Sequence, residues 1–171
     1  GRGNKILQRT VKIQPHLYLP AQYQISIYMD GNMKPNWPSV SNLFRRFQVE
    51  KHDLVCWKHP VRTRVIDEAR EVVRLKLESQ EHVDKILAAQ ARDKFKDETG
   101  LCETGFIIRK HAKIIDFSNS WKDAVEQCVR DQVSFDYMVW KHRVRCIRHD
   151  FRTKPVGHHP HSGDTRSRKI Q

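Results

Sequence analysis

One short segment, Ile25–Met29 followed by Asp30, constrains the fold of this chain more than any other part of the sequence. Apolar residues alternate along it with Ser26 and Tyr28, and alternation with a period of two is typical of a β-strand. In open α/β sheets, ligands bind beyond the carboxyl ends of the strands, so a carboxylate at that position is well placed to contact one. We therefore predict an α/β sheet with a functional site at the end of this strand.

The tripeptide Asp30-Gly31-Asn32 that ends the strand permits two interpretations. Two side-chain oxygens at this spacing suit a hard cation such as Mn²⁺ or Mg²⁺, which binds oxygen ligands and is shared with substrate phosphates. The alternative is an ordinary Asp-Gly turn, in which Gly31 takes a positive φ and no ligand is bound. Considered alone, the tripeptide favours the turn, and the case for a cation depends on the rest of the chain.

Apolar patterns elsewhere in the sequence alternate between the strand and the helix period. Short apolar segments predict further strands at residues 54–57, 105–109 and 144–148. Apolar residues at helical spacing predict helices at residues 5–13, 67–95 and 114–129, the second of them broken near Ser79. Strands that alternate with helices predict an α/β domain in which helices flank a mixed sheet.

Polar residues follow three of these predicted strands. Asp30 follows the first, His59 follows the second, and the third ends on Arg109-Lys110-His111. If the strands are parallel, their carboxyl ends meet at the same edge of the sheet. On that condition, we expect Asp30, His59 and His111 to line one cleft.

The length of 171 residues suits a single domain, which we assign to residues 1–152. The Pro, Gly, His and Arg content of residues 153–171 is typical of a basic, flexible tail. The net charge of +12 indicates an anionic partner, such as nucleic acid, acidic lipid or a phosphorylated small molecule.

Neither a membrane span nor a signal peptide is predicted, because the sequence has no apolar run of about 18 residues and no apolar leader. The cysteines at 56, 102, 128 and 146 are widely spaced. Spacing of this kind suggests buried thiols in a reducing compartment and excludes a zinc ribbon, although an oxidised pair stays possible. We therefore expect a cytoplasmic protein.

His59 and Arg62 follow the second predicted strand and also have two interpretations. The Arg62 guanidinium can clamp a phosphate, and His59 can donate a hydrogen bond to that phosphate or bind a metal. The alternative is a loop in which Arg62 pairs with Asp67 or Glu68. The sequence gives these two interpretations equal weight.

Arg130, Asp131 and Gln132 interrupt an apolar helical region, which costs free energy unless the polar groups find partners. Asp131 and Gln132 can bind sugar hydroxyls, or Asp131 can act as a base or a nucleophile. The alternative is a helix boundary that Asp131 caps. Glu103 precedes the third strand, and if all strands are parallel it lies away from the site. The loop before it could still fold over the site, but a surface position is favoured.

The order of these motifs resembles a family of glycosyltransferases from bacteria, large viruses and plants, whose plant members are tied to cell-wall and mucilage polysaccharides. The resemblance covers residues 9 to about 142. The segments that carry it are Arg9 with Lys12, Asp30-Gly31-Asn32, His59-Pro60-Val61-Arg62, Gly100-Leu101-Cys102-Glu103, Ile108-Arg109-Lys110-His111 and Arg130-Asp131-Gln132.

That family is distantly similar to glycogenin-like transferases of the GT-A fold. The resemblance implies transfer of a sugar from a nucleotide-diphosphate donor to a glycan or related acceptor, with Mn²⁺ or Mg²⁺ as the cofactor. It implies three groups of site residues: Asp30, Asn32 and His111 as metal ligands, Arg9, Lys12, His59, Arg62 and Arg130 at the donor, and Asp131 and Gln132 as catalytic residues.

Two departures from the GT-A pattern are visible. Asn32 stands where a second carboxylate is usual, and a neutral ligand weakens metal affinity. No strand that could bind the nucleotide base precedes Arg9, so we expect either a GT-A domain truncated at its N-terminus or a reduced domain that binds the nucleotide in another way. Two rival hypotheses remain, namely a basic nucleic-acid-binding module and a non-catalytic, glycosyltransferase-like partner domain.

Overall fold

The computed structural model describes residues 2–150 and 156–158 of the chain. The helices are α1 (Arg2–Ile13), α2 (Trp37–Val49), α3 (Val65–Arg74), α4 (Gln80–Arg92), α5 (Ile115–Gln127) and α6 (Gln132–Lys141). The strands are β1 (Ile25–Met29), β2 (Met33–Pro35), β3 (Leu54–Lys58), β4 (Cys102–Lys110), β5 (Cys146–His149) and β6 (Val156–His158). Two 3₁₀ turns cover Pro15–Leu17 and His111–Lys113.

The main sheet has the strand order β1-β4-β3-β5. Strand β4 runs antiparallel to both of its neighbours, whereas β3 and β5 are parallel. In the β1–β4 ladder, Ile25 lies opposite Lys110 and Met29 lies opposite Phe106. The predicted α/β domain with a mixed sheet flanked by helices is confirmed, but the condition that its first three strands are parallel is wrong.

Helices cover both faces of the sheet unequally. On one face, buried residues of α3, α4, α5 and α6 form the larger core, in which the Trp121 and Phe135 rings lie 4.8 Å apart. On the other face, Val40 and Phe47 of α2 form a smaller core with Trp57 and residues of β4. Because β4 is buried on both faces, the consecutive residues Phe106–Ile108 at its centre are all apolar.

A second, two-stranded sheet pairs β2 with β6 in antiparallel register, with Met33 opposite His158. Strand β6 belongs to the predicted tail, residues 153–171. The rest of that predicted tail lies outside the described residues.

The turn between β1 and β2 is closed by a backbone hydrogen bond of 2.9 Å from Met33 N–H to the Asp30 carbonyl oxygen. Gly31 does not take the positive φ that we predicted, so a non-glycine residue can adopt its backbone conformation. The positive-φ glycine of the described chain is Gly100, with φ of 86°.

Cys56 of β3 and Cys102 of β4 are joined in a disulfide, and the Cys146 sulfur lies 3.7 Å from that of Cys56. Cys128 is a buried free thiol. The expectation of four thiols is therefore wrong for the first pair, and the oxidised pair that the sequence left open is the one observed. The two cysteines come together because β3 and β4 are neighbours in the sheet.

We expect reduction of the Cys56–Cys102 disulfide to lower the free energy of unfolding by about 2–4 kcal/mol, because the bond restricts the unfolded chain. The measurement is the urea midpoint with and without a thiol reductant. The double variant Cys56→Ala/Cys102→Ala is the control, and its midpoint should not respond to the reductant. An equal response in both proteins would contradict this prediction.

Candidate active site

The end of β1 and the start of β4 lie side by side and bring two carboxylates together. Asp30 extends the β1–β4 ladder, since its N–H donates a hydrogen bond of 2.8 Å to the Gly105 carbonyl oxygen. A Cβ atom added at Gly105 would lie 2.7 Å from Glu103 Oε1 and 3.0 Å from Asp30 Oδ2. Both carboxylate oxygens therefore border the same small space above Gly105, and the end of the Met33 side chain borders it as well, since Met33 Cε would lie 2.6 Å from that Cβ.

The position of Glu103 differs from the surface position predicted for a parallel sheet. We assigned it to the surface because a parallel β4 would start at the far edge of the sheet. In the antiparallel arrangement, the start of β4 meets the end of β1, and Glu103 lies beside Asp30. In the sequence, Glu103 stands just before a predicted strand, which places it at one edge of the sheet. The sequence does not show which edge, because it does not give the direction of the strand.

Tyr28 fixes the orientation of the Asp30 carboxylate. Its hydroxyl donates a hydrogen bond of 2.8 Å to Asp30 Oδ1. Burial and the negative charge of Asp30 raise the pKa of Tyr28, so the hydroxyl keeps the proton that it donates. Since Oδ1 is occupied by Tyr28, Oδ2 is the oxygen that Asp30 presents next to Glu103.

A buried cluster of charged residues contacts β4 at Thr104, the residue after Glu103. Asp131 precedes α6, and its Oδ2 accepts hydrogen bonds from Lys12 Nζ at 2.5 Å and from Thr104 Oγ1 at 2.9 Å. Arg9 Nε lies 3.3 Å from Asp131 Oδ1. Asp131 is 4% exposed and Lys12 is 3% exposed, so α1, β4 and α6 meet at an enclosed ion pair.

Asp131 stays ionised in this environment. Burial alone would raise the pKa of its carboxyl, but the positive charges of Lys12 and Arg9 outweigh burial and hold the pKa well below its usual range. A carboxylate of this kind is a poor proton acceptor, which argues against the role of a general base. Asp131 does mark the helix boundary that we predicted, although its side chain makes no capping hydrogen bond.

Arg130 and Gln132 flank Asp131 at the same end of the sheet. Gln132 Nε2 lies 3.5 Å from the Cys102 carbonyl oxygen, which places the start of α6 over the start of β4. Arg130 Nε is buried and has no hydrogen-bond partner among the described residues. The arrangement therefore combines two adjacent carboxylates with arginines that retain donors for an anionic ligand.

The sequence model of the TOD1/MUCI70, glycosyltransferase-like domain matches residues 7–153. The chain belongs to this family. The match spans every residue of the site described above and confirms the resemblance drawn from the sequence motifs. Among curated proteins and among solved structures, no significant match is found.

Membership of the TOD1/MUCI70 family supports a glycosyltransferase-type function, with sugar donors and acceptors as the ligands in general terms. Within the described part of the chain, no helix has both the length and the apolar character needed to cross a membrane.

Asp30 and Glu103 fit the divalent cation that the resemblance to GT-A transferases implies. Both supply carboxylate oxygens, which hard cations prefer, and both oxygens border the small space above Gly105. Asn32 lies in the turn that follows Asp30, at the same edge of the sheet. The carboxylate missing from position 32 thus has a counterpart in Glu103.

His111, the third predicted metal ligand, lies at the opposite edge of the sheet. The backbone N–H of His111 donates a hydrogen bond of 2.9 Å to the carbonyl oxygen of Gln24. Gln24 is the residue before β1, whereas Asp30 follows β1. At about 3.4 Å per residue, the two positions are roughly 20 Å apart along the strand. His111 and Asp30 therefore cannot hold the same ion, and this part of the predicted site is wrong because β4 is antiparallel.

His59 and Arg62 lie at the same edge as Asp30 but are bound to a partner of their own. Arg62 Nε lies 2.5 Å from Glu68 Oε2, and His59 Nε2 lies 3.8 Å from the same oxygen. Glu68 is only 2% exposed, and burial lowers the pKa of His59 in spite of this carboxylate. The structure thus shows the loop interpretation, in which Arg62 pairs with Glu68.

Proposed function

We propose that this domain transfers a sugar from a nucleotide-diphosphate donor to a glycan or related acceptor, with Mn²⁺ or Mg²⁺ held by Asp30 and Glu103. The observation that carries the proposal is the approach of Asp30 Oδ2 and Glu103 Oε1 to one space above Gly105. Membership of a glycosyltransferase-like family supports the reaction class. The net charge of +12 suits an anionic donor.

When bound, the cation would neutralise the negative charge that develops on the diphosphate as the bond to the sugar breaks. Asp30 and Glu103 would hold it, and the Asn32 oxygen would add a neutral ligand. The hydrogen bond from Tyr28 keeps Asp30 Oδ2 turned toward Glu103 before any ligand arrives. The orientation of the Asp30 carboxylate is therefore fixed in advance.

Arg9 and Arg130 are the residues that we assign to the donor phosphates. Arg9 uses its Nε–H for the Val129 carbonyl oxygen at 2.9 Å, and the terminal nitrogens of its guanidinium suit a phosphate. Lys12 is enclosed and bound to Asp131, so it contributes positive charge rather than direct contact. Asp131 acts through Lys12 and Arg9 and is a positioning residue in this proposal.

Gln132 is the residue that we assign to the transferred sugar. Its amide carries both donors and an acceptor, as recognition of sugar hydroxyls requires. It begins α6 next to the carbonyl of Cys102, one residue before Glu103. We therefore place the sugar between Gln132 and the two carboxylates.

A screen of nucleotide-sugars by thermal shift, with and without Mn²⁺, tests the proposal. We expect at least one donor to raise the melting temperature only when Mn²⁺ is present. In Asp30→Asn and Glu103→Gln, calorimetry should show an affinity for the donor with Mn²⁺ that is lower by at least about tenfold. Asp123→Asn, which changes an exposed carboxylate of α5, is the matched control and should bind like the wild type.

The same variants separate the rival functions. A nucleic-acid-binding module would lose affinity steeply with salt and would not respond to Asp30→Asn. A non-catalytic partner domain would show no Mn²⁺-dependent donor binding. Donor binding that needs no metal, or that is unchanged in Glu103→Gln, would overturn the cation site.

A further inference from the structure

A second cleft, with a volume of about 760 Å³, lies at the end of the sheet opposite Asp30. It opens where β4 ends, between the two 3₁₀ turns. The residues that matter for its chemistry are His16, Leu19, Tyr23, Lys110, His111 and Lys113. The donor site proposed above uses none of them.

His111 lines this cleft, and one nitrogen of its ring has no hydrogen-bond partner among the described residues. The residue is 7% exposed, and its ring donates a hydrogen bond to the backbone of Tyr23. Its Nε2 is buried and has no hydrogen-bond partner among the described residues. A buried polar atom without a partner is uncommon and costs free energy, which a ligand in the cleft would offset.

Arg109 adds a buried positive charge behind His111. It is 2% exposed, and its Nε donates a hydrogen bond of 3.2 Å to the Ser26 hydroxyl. Within residues 2–150, we find no carboxylate at ion-pair distance from it. Burial, followed by the charge of Arg109, lowers the pKa values of both His16 and His111. A cation buried without an anion is unfavourable, so the cleft is prepared for a negatively charged group.

The residues that line the cleft reinforce this positive potential. Lys110 and Lys113 contribute to the lining, and none of the lining residues is acidic. Lys110 donates one of its hydrogen bonds to the Glu50 carbonyl oxygen at 2.6 Å, whereas Lys113 is exposed. A lysine at the mouth of a cleft with an arginine behind it is typical of oxyanion recognition.

Apolar side chains form the other part of the cleft. Leu19, Tyr23 and Ile115 line it and remain at least 40% exposed. Exposed apolar groups gathered beside a charged pocket indicate that the ligand has an apolar part as well. Neither a bare ion nor a neutral apolar compound would use both halves of this surface.

We propose that the cleft binds a small amphiphile that carries a phosphate-type oxyanion on an apolar chain. The oxyanion lies near His16, His111 and Lys113, with the Arg109 charge behind it. The apolar chain packs against Leu19 and its apolar neighbours in the cleft.

The proposal is tested by calorimetry with the 171-residue chain and octyl phosphate below its micelle concentration. We expect binding, with inorganic phosphate and octyl glucoside each weaker by at least about tenfold. Vesicles with and without phosphatidic acid then distinguish a membrane lipid from a soluble phosphate ester as the source of the same group.

Lys113→Glu should weaken octyl phosphate binding by about tenfold, because it replaces an attractive charge with a repulsive one. Lys96→Glu is the matched control: it makes the same charge change at an exposed lysine between α4 and β4 and should bind like the wild type. Leu19→Asp tests the apolar half and should also cost about tenfold.

Three results would overturn the inference: no binding of octyl phosphate, equal weakening in Lys113→Glu and Lys96→Glu, or inorganic phosphate as tight as octyl phosphate. Asp30→Asn should leave octyl phosphate binding unchanged, since Asp30 lies at the other end of the sheet. The two ligands therefore distinguish a failure of the proposed donor site from a failure of the proposed octyl phosphate site.

Discussion

Replacing Lys12 with methionine should lower the free energy of unfolding by about 3–5 kcal/mol, which is the usual cost of removing one partner of a buried ion pair. Lys12 Nζ lies 2.5 Å from Asp131 Oδ2, and both residues are almost fully enclosed. In the variant, the Asp131 carboxylate stays in the interior with Arg9 Nε at 3.3 Å as its remaining cation. Urea denaturation at neutral pH measures the change.

Lys85→Met is the matched control for this prediction. Lys85 Nζ likewise pairs with a carboxylate, that of Glu81, at a distance of 2.7 Å, but this pair is exposed on α4. Exposed pairs of this kind contribute less than about 1 kcal/mol. If Lys12→Met cost no more than Lys85→Met, the enclosed cluster would not stabilise the meeting point of α1, β4 and α6. In Lys12→Met/Asp131→Leu, most of the stability should return, because neither charge remains buried.

The pH dependence of stability provides an independent readout of the same pair. Because the pKa of Asp131 is lower in the folded chain than in the unfolded chain, its contribution is complete above the unfolded value of about 4. The contribution is lost as the pH falls toward the folded value. The difference in stability between wild type and Asp131→Asn should therefore shrink on acidification. Burial raises the pKa of Asp136 in spite of the positive charge of Arg148. On acidification, the wild type should therefore gain stability relative to Asp136→Asn, the opposite of the change expected for Asp131→Asn.

The sequence predicts the elements of this fold better than their directions. The alternation in Ile25–Met29 and the apolar run in β4 each identified a strand correctly. Periodicity carries no information about direction, however, and a continuous apolar run only shows that both faces are covered. Strand β4 meets that condition as a central antiparallel strand between two covered faces. The burial of β4 is thus compatible with parallel and with antiparallel pairing, and the condition of parallel strands does not hold because β4 is antiparallel to β1 and β3.

The same limit explains which site residues could be predicted. Asp30 stands at a strand end in any topology, and Asp131 interrupts an apolar pattern wherever its helix packs. Glu103 joins Asp30 only if β4 is reversed, and the Cys56–Cys102 disulfide forms only if β3 and β4 are neighbours. Contacts between residues far apart in sequence are decided by strand order, which local residue patterns do not contain.

Substitution of Gly105 by alanine should lower the affinity for a donor with Mn²⁺ by about 100-fold while the domain stays folded. The new Cβ would lie 2.6 Å from Met33 Cε, 2.7 Å from Glu103 Oε1 and 3.0 Å from Asp30 Oδ2. The two nearest atoms, Met33 Cε and Glu103 Oε1, are the ends of flexible side chains, so they can move away at a small cost in stability. The movement separates the two carboxylates, and a displacement of about 1 Å in a site can cost 100-fold.

Gly31→Ala is the matched control, because Gly31 is adjacent to Asp30 in sequence, yet a Cβ at this position would meet nothing within 4 Å. Its φ is not positive, so alanine fits the backbone without strain, and donor affinity should stay within about twofold of the wild type. Calorimetry on both variants, with thermal melting as the check on folding, makes the comparison. Equal affinities in Gly105→Ala and Gly31→Ala would mean that the space between Asp30 and Glu103 holds no cation. A large loss in Gly105→Ala alone would assign the site to that space, since neither variant changes any charge.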